Sequence, residues 1–124
     1  MSKLILEQES YKIIGICQEV HRILGPGFLE IVYKDAIEFE FRKNGIDFFR
    51  EIPFEVNYKG ERLKHKFYAD FVVFDSIILE LKSASSLNDL MYAQTLNYLK
   101  VSKLKIGLLI NFGELSLKFK RLIL

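Results

Sequence analysis

The sequence predicts one domain of the α/β class, an α+β arrangement in which helices pack on a mixed sheet. Apolar residues recur at three-and-four spacing before residue 44, which is the spacing of amphipathic helices. Between residues 47 and 82 they instead form alternations and short β-branched runs, which are typical of strands. The chain has 124 residues, 50% of them hydrophobic, which is enough to bury one core. We therefore expect a single domain over residues 1–124.

Two helices are predicted at the start of the chain. The first covers about residues 7–24, and the Gly-Pro-Gly sequence at residues 25–27 ends it because proline and glycine disfavour helix continuation. The second covers about residues 29–43 and ends at Asn44, which is followed by a glycine.

Five strands and one more helix are predicted after these two helices. Pro53 lies in the first strand and predicts an edge position or a bulge, because proline cannot donate to a strand ladder. The helix between the third and fourth strands favours parallel pairing of those two strands, and hence a mixed sheet. In chain order the segments lie at about residues 49–58, 63–74, 77–82, 88–102 (the helix), 105–111 and 115–122.

Three charged residues interrupt the apolar runs of the second and third strands, namely Asp70, Glu80 and Lys82. Ionised side chains in such a setting are costly unless they are paired, hydrated or bound to a metal. Glu80 and Lys82 share a face because side chains alternate along a strand. Asp70 joins them only if an odd-length loop or a β-bulge, rather than a two-residue turn at Asp75-Ser76, connects the strands. With that connection the three groups converge as a metal site with a lysine beside it.

The spacing of these residues resembles a known nuclease motif. Asp70, nine intervening residues and then Glu80-x-Lys82 resemble the D…(D/E)xK motif of the PD-(D/E)xK nuclease superfamily. The αβββαβ order is similar to the restriction-endonuclease-like core of that superfamily, here with an extra N-terminal helix and a C-terminal strand. The likeness extends over roughly residues 10–123. Ala69 stands where the proline of the superfamily name would precede the aspartate.

A narrower resemblance lies at the start of the second helix. Gly27, Glu30 and Tyr33 match the signature of the GxxExxY family, a bacterial and archaeal group assigned to the same superfamily. Residues 93–100 and 107–113 are also similar to that family.

The resemblance implies a Mg²⁺-dependent nuclease, with Mn²⁺ as a substitute metal and DNA as the expected nucleic acid. Asp70 and Glu80 would ligate the metal, with the Leu81 carbonyl as a further ligand, because hard divalent ions prefer oxygen. Lys82 would orient the attacking water or neutralise charge that develops on the phosphate. The alternative is structural: Asp70 begins a strand, and Glu80 and Lys82 form an ion pair at a strand end.

Glu30, Gln94 and Tyr98 are implied as supporting catalytic groups. Glu30 has an equally good structural explanation, because an acid in the first turn of a helix is stabilised by the helix dipole. Gln94 and Tyr98 lie four residues apart on one helix face and resemble the QxxxY element of the exonuclease-like branch of the superfamily. Their alternative is a core tyrosine and a solvated glutamine. Tyr33 is predicted to belong to the core.

Composition restricts the other classes of function. A net charge of +2 permits a nucleic-acid partner without requiring one. The single cysteine, Cys17, excludes an intramolecular disulfide framework and a multi-cysteine zinc site. No apolar run approaches the ~18 residues of a membrane span, so a cytoplasmic protein is expected.

A second function of a different class is also open. The chain could be a catalytically silent nuclease-fold module that binds nucleic acid or another protein. Its short length and four phenylalanines that could line a homodimer interface motivate this alternative: Phe39, Phe41, Phe48 and Phe49.

Overall fold

A mixed five-stranded sheet separates two helical layers in the computed structural model, which describes residues 6–124. The helices are α1 (Glu7–Leu24), α2 (Glu30–Lys43) and α3 (Asp89–Ser102). The strands are β1 (Phe48–Phe54), β2 (Asn57–Tyr58), β3 (Glu61–Arg62), β4 (Phe67–Val73), β5 (Ile77–Lys82), β6 (Ile106–Asn111) and β7 (Lys118–Ile123).

The order of strands in the large sheet is β1-β4-β5-β6-β7. Strands β5 and β6 are parallel and are connected through α3, whereas the other neighbours are antiparallel. This confirms the predicted mixed sheet. Pro53 lies in β1, which is an edge strand, as the sequence predicted.

The first and second strands are shorter in the structure than the sequence predicts. Strand β1 ends at Phe54, and the short strands β2 and β3 form a separate hairpin. Lys59 and Gly60 connect them, both with positive φ (51° and 81°). Two such residues in a row make the tight turn that suits a two-residue hairpin, so the chain reverses before β4 begins at Phe67.

The two faces of the sheet bury different amounts of apolar surface. Helices α1 and α2 cover the larger core, to which Phe71, Leu79 and Leu81 of the central strands contribute. Helix α3 covers a smaller cluster on the opposite face, which contains Val72 and Ile78. No helix within residues 6–124 is both long enough and apolar enough to cross a membrane.

The phenylalanines predicted at an interface divide between core and surface. Phe41 is fully buried and its ring lies 5.5 Å from those of both Phe48 and Phe71. Phe48 packs against the same core. The prediction was therefore wrong for Phe41, because the helical period of α2 turns it inward. Phe48 lies in β1 and is only partly buried, whereas Phe39 and Phe49 are exposed.

The connection between β4 and β5 has the predicted odd length. Val73 pairs with Ile77 and Phe71 pairs with Leu79, so three residues form the loop. Two of them, Phe74 and Asp75, adopt positive φ (56° and 55°). The paired register ends at Phe71 and Leu79, and counted one residue further it would set Asp70 opposite Glu80, which agrees with the predicted parity.

Candidate active site

The candidate site lies where β4 and β5 stop pairing through their backbones. Beyond the Phe71–Leu79 pair, carboxylates take over the backbone donors. The Asp70 N–H donates to Glu80 Oε2 at 2.8 Å, and the Leu81 N–H donates to Asp70 Oδ2, also at 2.8 Å. Each carboxylate therefore accepts a hydrogen bond from a backbone N–H of the opposite strand, and the two acids lie side by side. The structure brings together the pair that the sequence predicted.

Strand β4 reverses its faces at Asp70. Ala69 packs in the cluster under α3, whereas Phe71, two residues later, packs in the core under α1 and α2. Alternate residues of a regular strand share one face, so the strand twists sharply between them. Glu51 lies between the β1 residues that pair with Phe71 and Ala69, and it has a φ of 56°. Asp70 can therefore reach groups on both sides of the sheet.

Lys34 of α2 is a member of the site that the sequence analysis missed. Its Nζ lies 3.1 Å from Asp70 Oδ1 and 3.0 Å from Glu51 Oε1. Burial lowers its pKa, but the hydrogen bonds and charges of Glu51 and Asp70 outweigh this and raise the pKa above its ordinary value. A helical signal existed, because Lys34 lies three residues before the buried Ile37 and hence within the inward stripe.

The surroundings of Glu80 disfavour its ionised form. Its residue is only 5% exposed, and burial, followed by the charge of Asp70, raises its pKa to about 8. The Asp70 N–H, Lys82 and Lys34 act in the opposite direction without cancelling this rise. A divalent cation would relieve the same repulsion. No cluster of three His, Cys, Asp or Glu residues suited to a metal occurs in residues 6–124. Two carboxylates nevertheless suit Mg²⁺, which keeps several of its waters.

Lys82 extends from β5 toward α3 rather than pairing with its neighbour. Its Nζ donates to Gln94 Oε1 at 3.2 Å. The ion pair that the structural alternative placed between Glu80 and Lys82 is not among the ion pairs of residues 6–124. Lys82 and Gln94, together with Asn88 and Tyr98, line a cavity of about 500 Å³. The structure thus places the lysine, the glutamine and the tyrosine around one opening.

Tyr98 serves packing and faces the site at the same time. Its ring stacks on Phe67 with centroids 4.1 Å apart and planes 3° apart, and Phe67 in turn stacks on Phe54 at 5.1 Å. Burial raises the pKa of Tyr98, and the negative charges of Glu80 and Asp70 raise it further. The hydroxyl therefore lies within the electric field of the two acids.

Glu30 is the first residue of α2 and is exposed. It takes part in none of the hydrogen bonds or ion pairs within residues 6–124, so the structure does not bring it into contact with Asp70 or Glu80. The segment before it is nevertheless attached to the site, because Ser83 Oγ donates to the Phe28 carbonyl at 2.7 Å. This bond joins the residue after Lys82 to the loop that leads into α2.

Tyr33 holds that loop from the inside. Its ring is fully buried and stacks on Phe112 at 4.5 Å. Its hydroxyl donates to the Gly25 carbonyl at 2.5 Å and accepts from the Phe28 N–H at 3.2 Å. The prediction that Tyr33 belongs to the core is confirmed.

Asn111 fixes the chain that follows Lys82. Its Oδ1 accepts from the Ala84 N–H at 2.9 Å, and its Nδ2 donates to the Ala84 carbonyl at 3.0 Å. The Phe112 N–H donates to the Lys82 carbonyl at 2.8 Å. At Gly113 an added Cβ would lie 2.2 Å from the Ala84 carbonyl oxygen. We call Asn111, Phe112, Gly113 and Ala84 the clamp, because they hold the end of β5 in place.

Comparisons with known proteins identify the family and the fold. A family model described as the PD-(D/E)XK nuclease superfamily matches residues 7–122. None of the curated proteins matches this chain. The crystal structure of SSO0001 is similar, with a TM-score of 0.55 and 22% identity over 74% of this chain. This likeness shows the fold alone and is consistent with a restriction-endonuclease-like architecture. The match covers 48% of SSO0001, so the chain spans about half the length of that protein.

Proposed function

The chain belongs to the PD-(D/E)XK nuclease superfamily, and from this we propose that it hydrolyses phosphodiester bonds of nucleic acid, with DNA as the substrate. The observation that carries the proposal is the reciprocal bonding of Asp70 and Glu80 at the open end of β4 and β5. Within the superfamily we assign the chain to the GxxExxY family, on the sequence signature that begins at Gly27.

Asp70 and Glu80 would hold one divalent ion, for which we propose Mg²⁺, with the Leu81 carbonyl as a further ligand. Both are hard oxygen donors, and burial, followed by the charge of Asp70, already raises the pKa of Glu80. When bound, such an ion polarises a phosphoryl oxygen and lowers the pKa of a bound water.

Lys82 supplies positive charge on the α3 side of this pair. Its ammonium is oriented by Gln94 Oε1 and borders the cavity of about 500 Å³. There it would stabilise negative charge that develops on a phosphate or orient the attacking water. Tyr98 would hold the cavity wall through its stack on Phe67. Glu30, the first residue of α2, would be a further supporting group for catalysis.

The test is cleavage of plasmid and single-stranded DNA with and without Mg²⁺, for the wild type and Lys82→Ala. We expect the variant to lose about 10²-fold or more in rate, because a charge aimed at the reacting phosphate is removed. Lys100→Ala changes an exposed lysine of α3 and is the matched control, expected to keep its rate. Equal rates for the wild type and Lys82→Ala would assign the cleavage to a contaminant or to another site.

A silent nuclease-fold module is the second candidate, and one observation favours it. Both oxygens of Asp70 already have partners, Lys34 and the Leu81 N–H. Calorimetric titration with Mn²⁺ separates the two functions, using Asp70→Asn as the matched variant. Binding that Asp70→Asn abolishes supports the nuclease, whereas no binding to either protein supports the silent module.

A further inference from the structure

We propose that Lys34 is a resident cation of the site, which neutralises Asp70 until a divalent ion arrives and then transfers to Glu51. Lys34 would thus be a positioning residue that sets the affinity for the metal. This inference rests on the proposed function, because it concerns the same metal site.

Both oxygens of the Asp70 carboxylate already have partners. One oxygen accepts from the Leu81 N–H at 2.8 Å, and the other faces the Lys34 ammonium at 3.1 Å. A divalent ion on Asp70 would therefore stand within a few ångströms of a buried ammonium. Like charges at such a separation repel strongly where water is scarce, and the side chain of Lys34 is only 9% exposed. Lys34 must move away from Asp70 or weaken the binding of the metal.

Glu51 offers the place to which the ammonium can move. Its Oε1 already lies 3.0 Å from Lys34 Nζ, so the transfer lengthens one contact and keeps the other. The buried lysine is then never left without a counter-ion, which would be costly. The side chain of Glu51 is 56% exposed against 17% for Asp70, so the ammonium would move toward the more solvent-exposed of its two partners.

The backbone of Glu51 supports a dedicated role for this residue. Its φ of 56° is rare for a residue with a side chain, and it occurs beside the position where β4 reverses its faces. Strained backbone conformations persist where the surrounding structure fixes them, often at functional sites. Here the conformation accompanies a carboxylate placed opposite the ammonium of α2.

The two residues should then change metal affinity in opposite directions. Lys34→Met removes the competing charge while keeping an unbranched chain, so Mn²⁺ should bind about tenfold more tightly. Glu51→Gln takes away the charge that receives the ammonium, so Lys34 stays on Asp70 and Mn²⁺ should bind about threefold more weakly. The effect of Glu51→Gln should largely vanish in the double variant with Lys34→Met, because Glu51 acts through the lysine.

The experiment is a titration of the protein with Mn²⁺ in the absence of nucleic acid, in which electron paramagnetic resonance measures the free ion. Circular dichroism establishes that each variant is folded. Glu55→Gln is the matched control, because it removes the same charge from a nearby carboxylate whose ion-pair partner is Arg62 rather than Lys34. It should leave the affinity within about twofold, since Glu55 is paired with Arg62 and does not hold Lys34.

Several outcomes would overturn the inference. A folded Lys34→Met variant that binds Mn²⁺ no more tightly than the wild type overturns it while leaving the proposed nuclease intact. Additive effects of the two substitutions also overturn it, since they would mean that Glu51 attracts the metal by its own charge and not through Lys34. If Lys34→Met does not fold, equal affinities of Glu51→Gln and Glu55→Gln decide against it. A wild type that binds no Mn²⁺ overturns both this inference and the metal-dependent nuclease.

Discussion

The two ends of the β4–β5 strand pair differ in what satisfies their backbone groups. Near the loop, from Val73–Ile77 to Phe71–Leu79, the strands pair directly and the side chains are apolar and buried. At the other end, carboxylates accept hydrogen bonds from the backbone N–H groups of Asp70 and Leu81. The paired end contributes core packing, whereas the open end holds two acids next to each other. A strand pair can therefore supply stability and a chemical site by exchanging ladder bonds for side-chain bonds.

The open end requires support that the paired end does not. Three contacts from distant segments supply it: the clamp around Ala84, the Ser83–Phe28 bond and the Lys34–Asp70 ion pair. In this strand pair, charged groups replace ladder bonds at the end where other elements hold the chain. This comparison can be tested by weakening the clamp, by removing the buried charge and by removing the tyrosine hydroxyl.

The largest effect is expected from Gly113→Ala, which attacks the clamp. The new Cβ would lie 2.2 Å from the Ala84 carbonyl oxygen and 2.5 Å from the Ala84 nitrogen, so backbone must move. We expect the free energy of unfolding to fall by about 3 kcal/mol, as for overpacking in a dense interior. Urea denaturation measures the change.

The matched control is Gly15→Ala in α1, where an added Cβ meets nothing within 4 Å. It should raise the free energy of unfolding by about 0.5–1 kcal/mol, because alanine favours a helix interior over glycine. A Gly113→Ala protein as stable as the wild type would mean that the clamp does not restrain the open end.

An intermediate effect is expected from the charge of Glu80. Burial and Asp70 raise its pKa from 4.5 to about 8, so between these values the folded protein keeps a proton that the unfolded chain has released. The contribution of Glu80 to stability is therefore full below about pH 4.5 and is lost as the pH rises toward 8, by about 1.4 kcal/mol per pH unit at the steepest.

Glu80→Gln should flatten this dependence, because the amide does not titrate. Urea unfolding at a series of pH values, without divalent metal, checks it, and the exposed Glu61→Gln variant of β3 should keep the wild-type profile. A Glu80→Gln protein whose stability still falls between pH 5 and about 8 as steeply as the wild type would remove Glu80 as the source.

The smallest effect is expected from Tyr98→Phe, which keeps the ring stacked on Phe67 and removes only the hydroxyl. Stability should change by less than about 0.5 kcal/mol, whereas Tyr98→Ala should lose about 1 kcal/mol or more with the stack. Thermal unfolding compares the two variants. Equal losses in both would show that the hydroxyl, and not the stack, holds Tyr98 in place.

Local sequence patterns determined much of the fold. The apolar period and the Gly-Pro-Gly sequence at residues 25–27 predict α1 with its observed bounds, because helix start and stop signals lie within a few residues. The two-residue period of a strand also predicts that Asp70, Glu80 and Lys82 need an odd loop to share a site, and the register agrees. That β2 and β3 form a hairpin separate from the large sheet was missed, because each of these strands is only two residues long.

Only the tertiary structure decided what surrounds the two acids. Lys34 and Glu51 are separated by 17 residues, Ala84 and Asn111 by 27, and Phe28 and Ser83 by 55. A periodic pattern indicates which face of an element is buried, but not which residue of another element lies against it. The sequence by itself therefore determined which chemical groups share a strand pair. Long-range packing decided which cation Asp70 holds and how the end of β5 is fixed, because those contacts depend on how separate elements meet in space.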